Sequence, residues 1–128
     1  MKILLDTHLN LWTLLEPARL TERARTLIDD PRNEPVFSSA SLWKIAIKRA
    51  IGNSEFQADP RILRTTELDA GYLELPVLGE HAVAVAGLPP THKDPFDRLL
   101  IAQSIVEGIL FLTADGIIAR YPGPIQLM

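Results

Sequence analysis

An acidic turn that opens into an apolar helix constrains the fold more than any other part of the sequence. It reads Thr91-His-Lys-Asp-Pro-Phe-Asp-Arg-Leu-Leu-Ile-Ala-Gln103. Asp94 followed by Pro95 predicts a helix start, because an N-cap carboxylate accepts bonds from free backbone N–H groups and proline suits the first helical position. The apolar run over residues 98–109 predicts that this helix is buried on most sides, with its N-terminus near the centre of the fold.

Two interpretations of Asp94 and Asp97 are open on this stretch alone. Asp97 falls at the third helical position, where the helix dipole favours a carboxylate, so both residues suit a simple capped helix. A carboxylate at the buried start of a central helix also lies more often in a cleft than on a surface. The stretch therefore predicts either a cap or a site.

Short apolar runs alternate with helical patterns along the rest of the chain. Strands are predicted at residues 2–5, 36–39, 72–76, 109–112 and 125–127. Helices are predicted after Thr7, which is a plausible N-cap, after Thr21, over 40–51, from 60 to about 71, over 80–86 and briefly at 117–118. This alternation is typical of an α/β fold with a mainly parallel central sheet, and 128 residues suit a single domain over 1–128.

Composition narrows the function only a little. The chain has no cysteine, which excludes disulfides and thiol catalysis, and no apolar run long enough to span a bilayer. The N-terminus is too short and lacks the cleavage site of a signal peptide, so we expect a chain that begins at Met1 and acts in the cytoplasm. A net charge of −3 argues against a generally basic nucleic-acid-binding surface.

Three aspartates are predicted to converge. Asp6 and Asp115 follow predicted strands, and Asp97 heads the helix that leads into the strand before Asp115. In parallel sheets, sites lie outside the carboxyl ends of the strands, where the strand order reverses. Convergent carboxylate oxygens are what a hard cation such as Mg²⁺ or Mn²⁺ requires.

Four motifs in this order give the chain a family resemblance. They are Leu4-Leu-Asp-Thr-His8, Ala40-Ser-Leu-Trp-Lys-Ile-Ala-Ile-Lys48, Leu88-Pro-Pro through Gln103, and Leu112-Thr-Ala-Asp115. With them the chain resembles PIN-domain proteins over nearly its whole length, and most of all the VapC-type toxins of bacterial toxin–antitoxin pairs. The resemblance implies an α/β/α sandwich and an endoribonuclease that uses Mg²⁺ or Mn²⁺. It also implies an RNA substrate, a homodimer and a cognate antitoxin.

By position, Asp6, Asp97 and Asp115 match three members of the family's acidic quartet. A bound cation there would lower the pKa of a water molecule and stabilise charge on the phosphate. Thr7 and Thr113 either bind water or orient a carboxylate, or they serve as capping and turn hydroxyls, and Asp94 is a candidate to assist the three aspartates.

The fourth acidic residue is a glutamate in the family, and this sequence has Lys44 at that position. A unit charge pair about 4 Å apart is worth roughly 4 kcal/mol at an effective dielectric near 20. Replacing an attractive charge by a repulsive one beside a dication could cost up to about 16 kcal/mol by that measure. Metal binding should therefore be weakened.

Three accounts of Lys44 compete. Its ammonium points into the site and takes the place of the metal, which is the geometry we favour; it swings outward and three aspartates bind metal weakly; or the lysine is an acquired change that inactivates a harmful toxin. The first predicts an attenuated ribonuclease. It also supports a rival function, a non-catalytic PIN-fold module that binds antitoxin or RNA.

Histidines and other basic residues are weaker candidates. His8 follows the first acidic motif and could touch substrate, whereas His92 is expected to brace the loop before the central helix. Lys48, Arg49 and Arg98 either contact RNA phosphates or are solvated or locally paired, and the second interpretation is favoured for each.

Overall fold

A computed structural model describes residues 1–92 and 94–128; Lys93, which belongs to the acidic turn, lies outside the described residues. The strands are β1 (Lys2–Leu5), β2 (Glu34–Ser38), β3 (Leu73–Leu75), β4 (Leu110–Thr113) and β5 (Ile125–Leu127). The α-helices are α1 (Thr7–Leu15), α2 (Glu22–Asp29), α3 (Ser39–Ala50), α4 (Pro60–Asp69), α5 (Gly79–Ala84) and α6 (Pro95–Glu107). None of the helices in these two ranges is long and apolar enough to cross a membrane.

The five strands form one parallel sheet in the order β3-β2-β1-β4-β5. The chain runs outward from β1 to β3 and then crosses back to place β4 on the other side of β1. The order therefore reverses between β1 and β4, so the crevice beyond their carboxyl ends is where a ligand is expected. The predicted α/β fold with a mainly parallel sheet is confirmed, and the sheet is wholly parallel.

Both faces of the sheet are covered, as the unbroken apolar runs of the strands predict. Leu4 and Phe111 pack on one face with Leu100 and Ile101 of α6. On the other face, Ile3, Leu5 and Leu112 pack with residues of α1 and α2. The result is the α/β/α sandwich expected from the resemblance.

Several predicted boundaries are wrong for local reasons. The strand predicted at 36–39 begins at Glu34, because Lys2 and Ile3 of β1 pair with Glu34 and Pro35. The strand predicted at 109–112 is β4, Leu110–Thr113, one residue later; α6 ends before it at Glu107, because Gly108 adopts a positive φ of 65°. The polar segment between α3 and α4, for which no element was predicted, contains a short 3-10 helix, Ser54–Phe56, whose phenylalanine is buried.

Candidate active site

Four elements bring the predicted site residues to the switch point, the place between β1 and β4 where the strand order reverses. Asp6 directly follows β1, and Thr113 and Asp115 lie at the end of β4. Asp94 caps α6, and its carboxylate accepts hydrogen bonds from the backbone N–H groups of Phe96 and Asp97. The cap predicted from Asp94 and Pro95 is therefore confirmed, and it places Asp97 at the third position of the helix. Lys44 reaches the same crevice from α3.

Both carboxylate oxygens of Asp6 accept hydrogen bonds from neighbouring residues. Its Oδ1 accepts from the Leu9 backbone N–H at 2.8 Å, while its Oδ2 accepts from the Thr113 hydroxyl at 2.6 Å and from the Ala114 N–H at 2.9 Å. Burial raises the pKa of this carboxyl group, and the hydrogen bonds from Thr113 and the backbone act against that rise. Asp6 thus joins β1 to the end of β4.

The Leu9 contact corrects the prediction that Thr7 caps α1. Asp6 is the N-cap, because its carboxylate accepts the backbone bond, and Thr7 is the first helical residue. The Thr7 hydroxyl donates to Ser41 Oγ at 3.0 Å and so ties α1 to α3. Thr113, by contrast, does contact a site carboxylate, as one of the two earlier interpretations expected.

Lys44 points into the acidic cluster. Its Nζ lies 3.0 Å from Asp94 Oδ2 and 3.3 Å from Asp97 Oδ1, and the residue is only 4% exposed. Burial opposes the charge, but the carboxylates of Asp97 and Asp94 outweigh it and raise the pKa of Lys44. Burial likewise opposes ionisation of Asp94, and the lysine lowers the pKa of that carboxyl group. Of the geometries open to Lys44, the structure has the inward one.

His92 is the site residue that sequence reasoning missed. Its Nε2 lies 2.9 Å from Asp97 Oδ2 and 3.7 Å from Asp115 Oδ2, while its backbone N–H donates to the Tyr121 hydroxyl. The histidine braces the loop, as expected, but its ring also joins the acidic residues. Its place within the acidic turn was the one available signal.

The structure divides the three aspartates predicted as metal ligands. Ligand atoms of Asp97, Asp115 and His92 lie within 4.8 Å of one another, and this group could hold a cation. Asp6 is not in the group; it connects to Asp115 through Thr113, whose Oγ1 accepts from the Asp115 N–H at 3.0 Å.

The donors in this arrangement do not fit Mg²⁺. That ion requires a near-ideal octahedron of oxygens, whereas both Asp6 oxygens accept bonds from the fold and an ammonium holds the other oxygen of Asp97. Lys44 also adds a repulsive charge beside any cation bound there.

The other basic candidates mainly serve the fold. Arg98 donates to the carbonyl oxygens of Pro89 and Val85 and to the Tyr121 hydroxyl, and Arg49 lies 3.8 Å from Asp59. Both agree with the interpretation as locally paired charges.

A second group, around His81, resembles a metal site, but both ring nitrogens of the histidine are already engaged in hydrogen bonds. The buried His81 Nδ1 accepts from the Leu78 N–H at 2.9 Å, so its Nε2 carries a proton and donates to Glu107 at 3.0 Å. Glu80 completes this group. With neither ring nitrogen free to bind a metal, His81 serves to join α5 to α6.

A doubly wound parallel domain with carboxylates at its switch point defines the class of protein. The particular family follows from comparison: the PIN domain model matches residues 3–124, and the chain belongs to that family. No curated protein matches the sequence.

Solved structures share the fold at low sequence identity. VapBC2 from Rickettsia felis, bound to a DNA fragment from its promoter, has a chain that aligns at a TM-score of 0.75 and 12% identity over 100% of this chain and 99% of that one. VapBC-5 of the VapBC toxin–antitoxin family from Mycobacterium tuberculosis aligns at a TM-score of 0.63 and 15% identity, over 99% of this chain and 97% of that one. VapBC-1 from nontypeable Haemophilus influenzae aligns at a TM-score of 0.58 and 17% identity, over 90% of this chain and 87% of that one. At these identities the likeness is one of fold.

Proposed function

We propose that this chain is a VapC-type endoribonuclease toxin of a toxin–antitoxin pair, with its activity attenuated by Lys44. The observation that supports the proposal is a PIN domain whose Asp97 and Asp115 lie together where the strand order reverses, with Asp6 joined to Asp115 through Thr113. Carboxylates suit phosphodiester hydrolysis because RNA brings only negative charge, so a cation must be recruited to the site. We expect Mg²⁺ or Mn²⁺ in that role once the Lys44 ammonium no longer points inward, because the donors do not fit such an ion while it does.

The residues of the chain then divide the work. Asp97 and Asp115 would hold the cation in place of the ammonium, and Asp6 lies at the adjoining edge, joined to Asp115 through Thr113. Thr113 positions Asp6, and Asp94 restrains Lys44. In the unmodified chain the ammonium neutralises part of the acidic cluster, so we expect little cleavage.

A protein partner is part of the proposal. Fold similarity to VapBC assemblies supports a cognate antitoxin. Trp43 and Ile47 of α3 and Ile51, the residue that follows the helix, are exposed at four-residue spacing. They offer an apolar stripe to an antitoxin or to the second copy of a homodimer. We place the activity in the cytoplasm, where RNA and antitoxin are made.

A second function is supported by Lys44 itself. An ammonium paired with Asp94 and Asp97 at the position of the family glutamate also suits a non-catalytic PIN module that binds antitoxin or RNA and cleaves nothing. The two proposals differ in whether exchanging Lys44 for the family glutamate creates a nuclease.

Cleavage of a mixed panel of structured RNAs in Mn²⁺ separates them. The unmodified chain, Lys44→Glu, and Lys44→Glu combined with Asp6→Asn are compared. Cleavage by Lys44→Glu alone supports an attenuated nuclease. If no variant cleaves while all remain folded, the binding module is the better account. If the unmodified chain cleaves and requires Asp6, Lys44 does not attenuate it.

A further inference from the structure

A cavity adjoins the acidic residues on the α1 side of the site. It has a volume of about 380 Å³, within the usual range for small-molecule sites. Its lining includes the charged and aromatic side chains of Asp6, His8, Trp12, Arg19, Glu55 and Asp115. Because Asp6 and Asp115 belong to both, anything bound in this cavity lies directly beside the site where cleavage is proposed.

The cavity has a rigid aromatic wall with a cation on it. The Arg19 guanidinium carbon lies 4.4 Å from the centroid of the Trp12 ring. Trp12 packs into two of the core clusters, whereas the Arg19 side chain is half exposed and contacts Glu16 at 3.4 Å. Guanidinium planes and aromatic rings are the surfaces on which unstacked RNA bases are held. Arg19 therefore presents a supported stacking surface.

The carboxylates in the cavity lining present edges of hydrogen-bond acceptors. Glu55 is exposed and lies 3.5 Å from His8 Nε2, and Asp115 lines the same cavity. An ionised carboxylate only accepts hydrogen bonds. A base that offers an amino group can pair with such an edge, whereas uracil offers mostly carbonyl oxygens that the carboxylates repel.

We propose that this cavity binds one unstacked base of a single-stranded RNA, stacked on Arg19 and favouring bases with an exocyclic amino group. The inference rests on the proposed function, since it takes RNA as the substrate and places a nucleotide next to the scissile phosphate. Arg19 is a binding residue, and Glu55 selects the base. Neither residue was identified from the sequence.

Binding is measured without cleavage, using the unmodified chain in EDTA. Fluorescence anisotropy follows labelled eight-nucleotide strands of adenylate, cytidylate and uridylate at low salt. We expect adenylate and cytidylate to bind at least 5-fold more tightly than uridylate and more tightly than an RNA duplex. Arg19→Ala should weaken binding of the favoured strands about 10-fold, because loss of a stacking contact is typically worth that much.

Arg23→Ala is the matched control, because it also removes an exposed arginine but one that contacts Gln126 outside the cavity. It should change affinity less than 2-fold. Glu55→Gln should reduce the discrimination against uridylate, since an amide both donates and accepts hydrogen bonds.

Equal effects of Arg19→Ala and Arg23→Ala would overturn the proposal, as would a preference for uridylate or no binding of any strand. Failure here is distinguishable from failure of the proposed function. RNA cleavage by Lys44→Glu without dependence on Arg19 removes only the base subsite, whereas Arg19-dependent binding with no cleavage by that variant removes only the nuclease.

Discussion

Lys44 of α3 and Glu67 of α4 are both buried ionisable residues on adjacent helices, yet their surroundings differ completely. Lys44 contacts two carboxylates within 3.3 Å. Glu67 is 3% exposed, and neither of its carboxylate oxygens has a hydrogen-bond partner within the described part of the chain. Burial raises the pKa of Glu67 to about 8, whereas the partners of Lys44 raise its pKa and keep it charged.

The difference teaches that burial alone does not make an ionic site. An unpartnered buried group discards its charge, and a partnered one retains it. The ammonium of Lys44 is therefore part of the electrostatic structure of the acidic cluster, whereas Glu67 is a neutral core residue at moderate pH.

The largest expected effect is the pH dependence contributed by Glu67. Its pKa rises from an ordinary 4.5 to about 8 in the fold, so the folded state holds a proton that the unfolded state releases. Stability from this group is fully present below pH 4.5 and is lost as pH rises towards about 8. At about 1.4 kcal/mol per unit, the total loss has a ceiling of about 5 kcal/mol.

Urea unfolding from pH 4.5 to 8.5 measures this loss. Glu67→Gln should remove most of the decline, because an amide does not titrate. An unchanged pH profile in the variant would show that Glu67 is ionised in the fold and would erase its contrast with Lys44.

Removing the ammonium should be nearly as costly. Lys44→Ala leaves Asp94 and Asp97 facing each other without a counter-charge, and loss of one partner of a buried pair costs about 3 kcal/mol or more. Urea unfolding in EDTA at pH 7 measures the loss. Lys48→Ala is the control, because Lys48 stands one turn further along α3, and its loss should cost under about 0.5 kcal/mol. Equal effects would mean that the Lys44 ion pairs contribute nothing.

Thr113 extends the comparison to a third buried ionisable residue, Asp6, which accepts hydrogen bonds from uncharged donors. Thr113→Val removes the 2.6 Å bond to Asp6 at nearly constant shape and should cost about 1–2 kcal/mol. Thr113→Ser keeps the hydroxyl and should lose much less. Chemical unfolding at pH 7 measures both variants, and equal losses would show that the hydrogen bond to Asp6 contributes no more to stability than the threonine methyl group.

Much of the fold was predictable because local signals and tertiary structure agree. The runs before Asp6 and before Asp115 are apolar without alternation, as strands covered on both faces must be. Asp94 and Pro95 fixed the start of α6 with its correct cap. These features place the acidic residues at one end of the sheet without knowledge of any distance.

Other features depend on contacts that a sequence does not display. The His92 ring contacts Asp97 while the His92 backbone N–H donates to the hydroxyl of Tyr121, a residue far away in the sequence. The capping role of Asp6 was assigned to Thr7, since both residue types cap helices equally well. Burial of Glu67 shows no sequence signal, because glutamate is common on exposed helix faces.

The inward geometry of Lys44 was one of several open interpretations, since a lysine can equally extend into solvent. Lys44 points inward because two carboxylates at the start of α6 attract its ammonium. The spacing of residues in the sequence does not show that the start of α6 lies next to α3. The assignment of Asp6, Asp97 and Asp115 as catalytic residues remains a prediction.

Calorimetric titration of Mn²⁺ tests the central claim most directly, namely that the Lys44 ammonium stands where a cation would bind. The account predicts no measurable binding to the unmodified chain at micromolar concentrations and clear binding to Lys44→Glu, with Lys48→Glu as the control that remains unable to bind. Micromolar binding to the unmodified chain would contradict it.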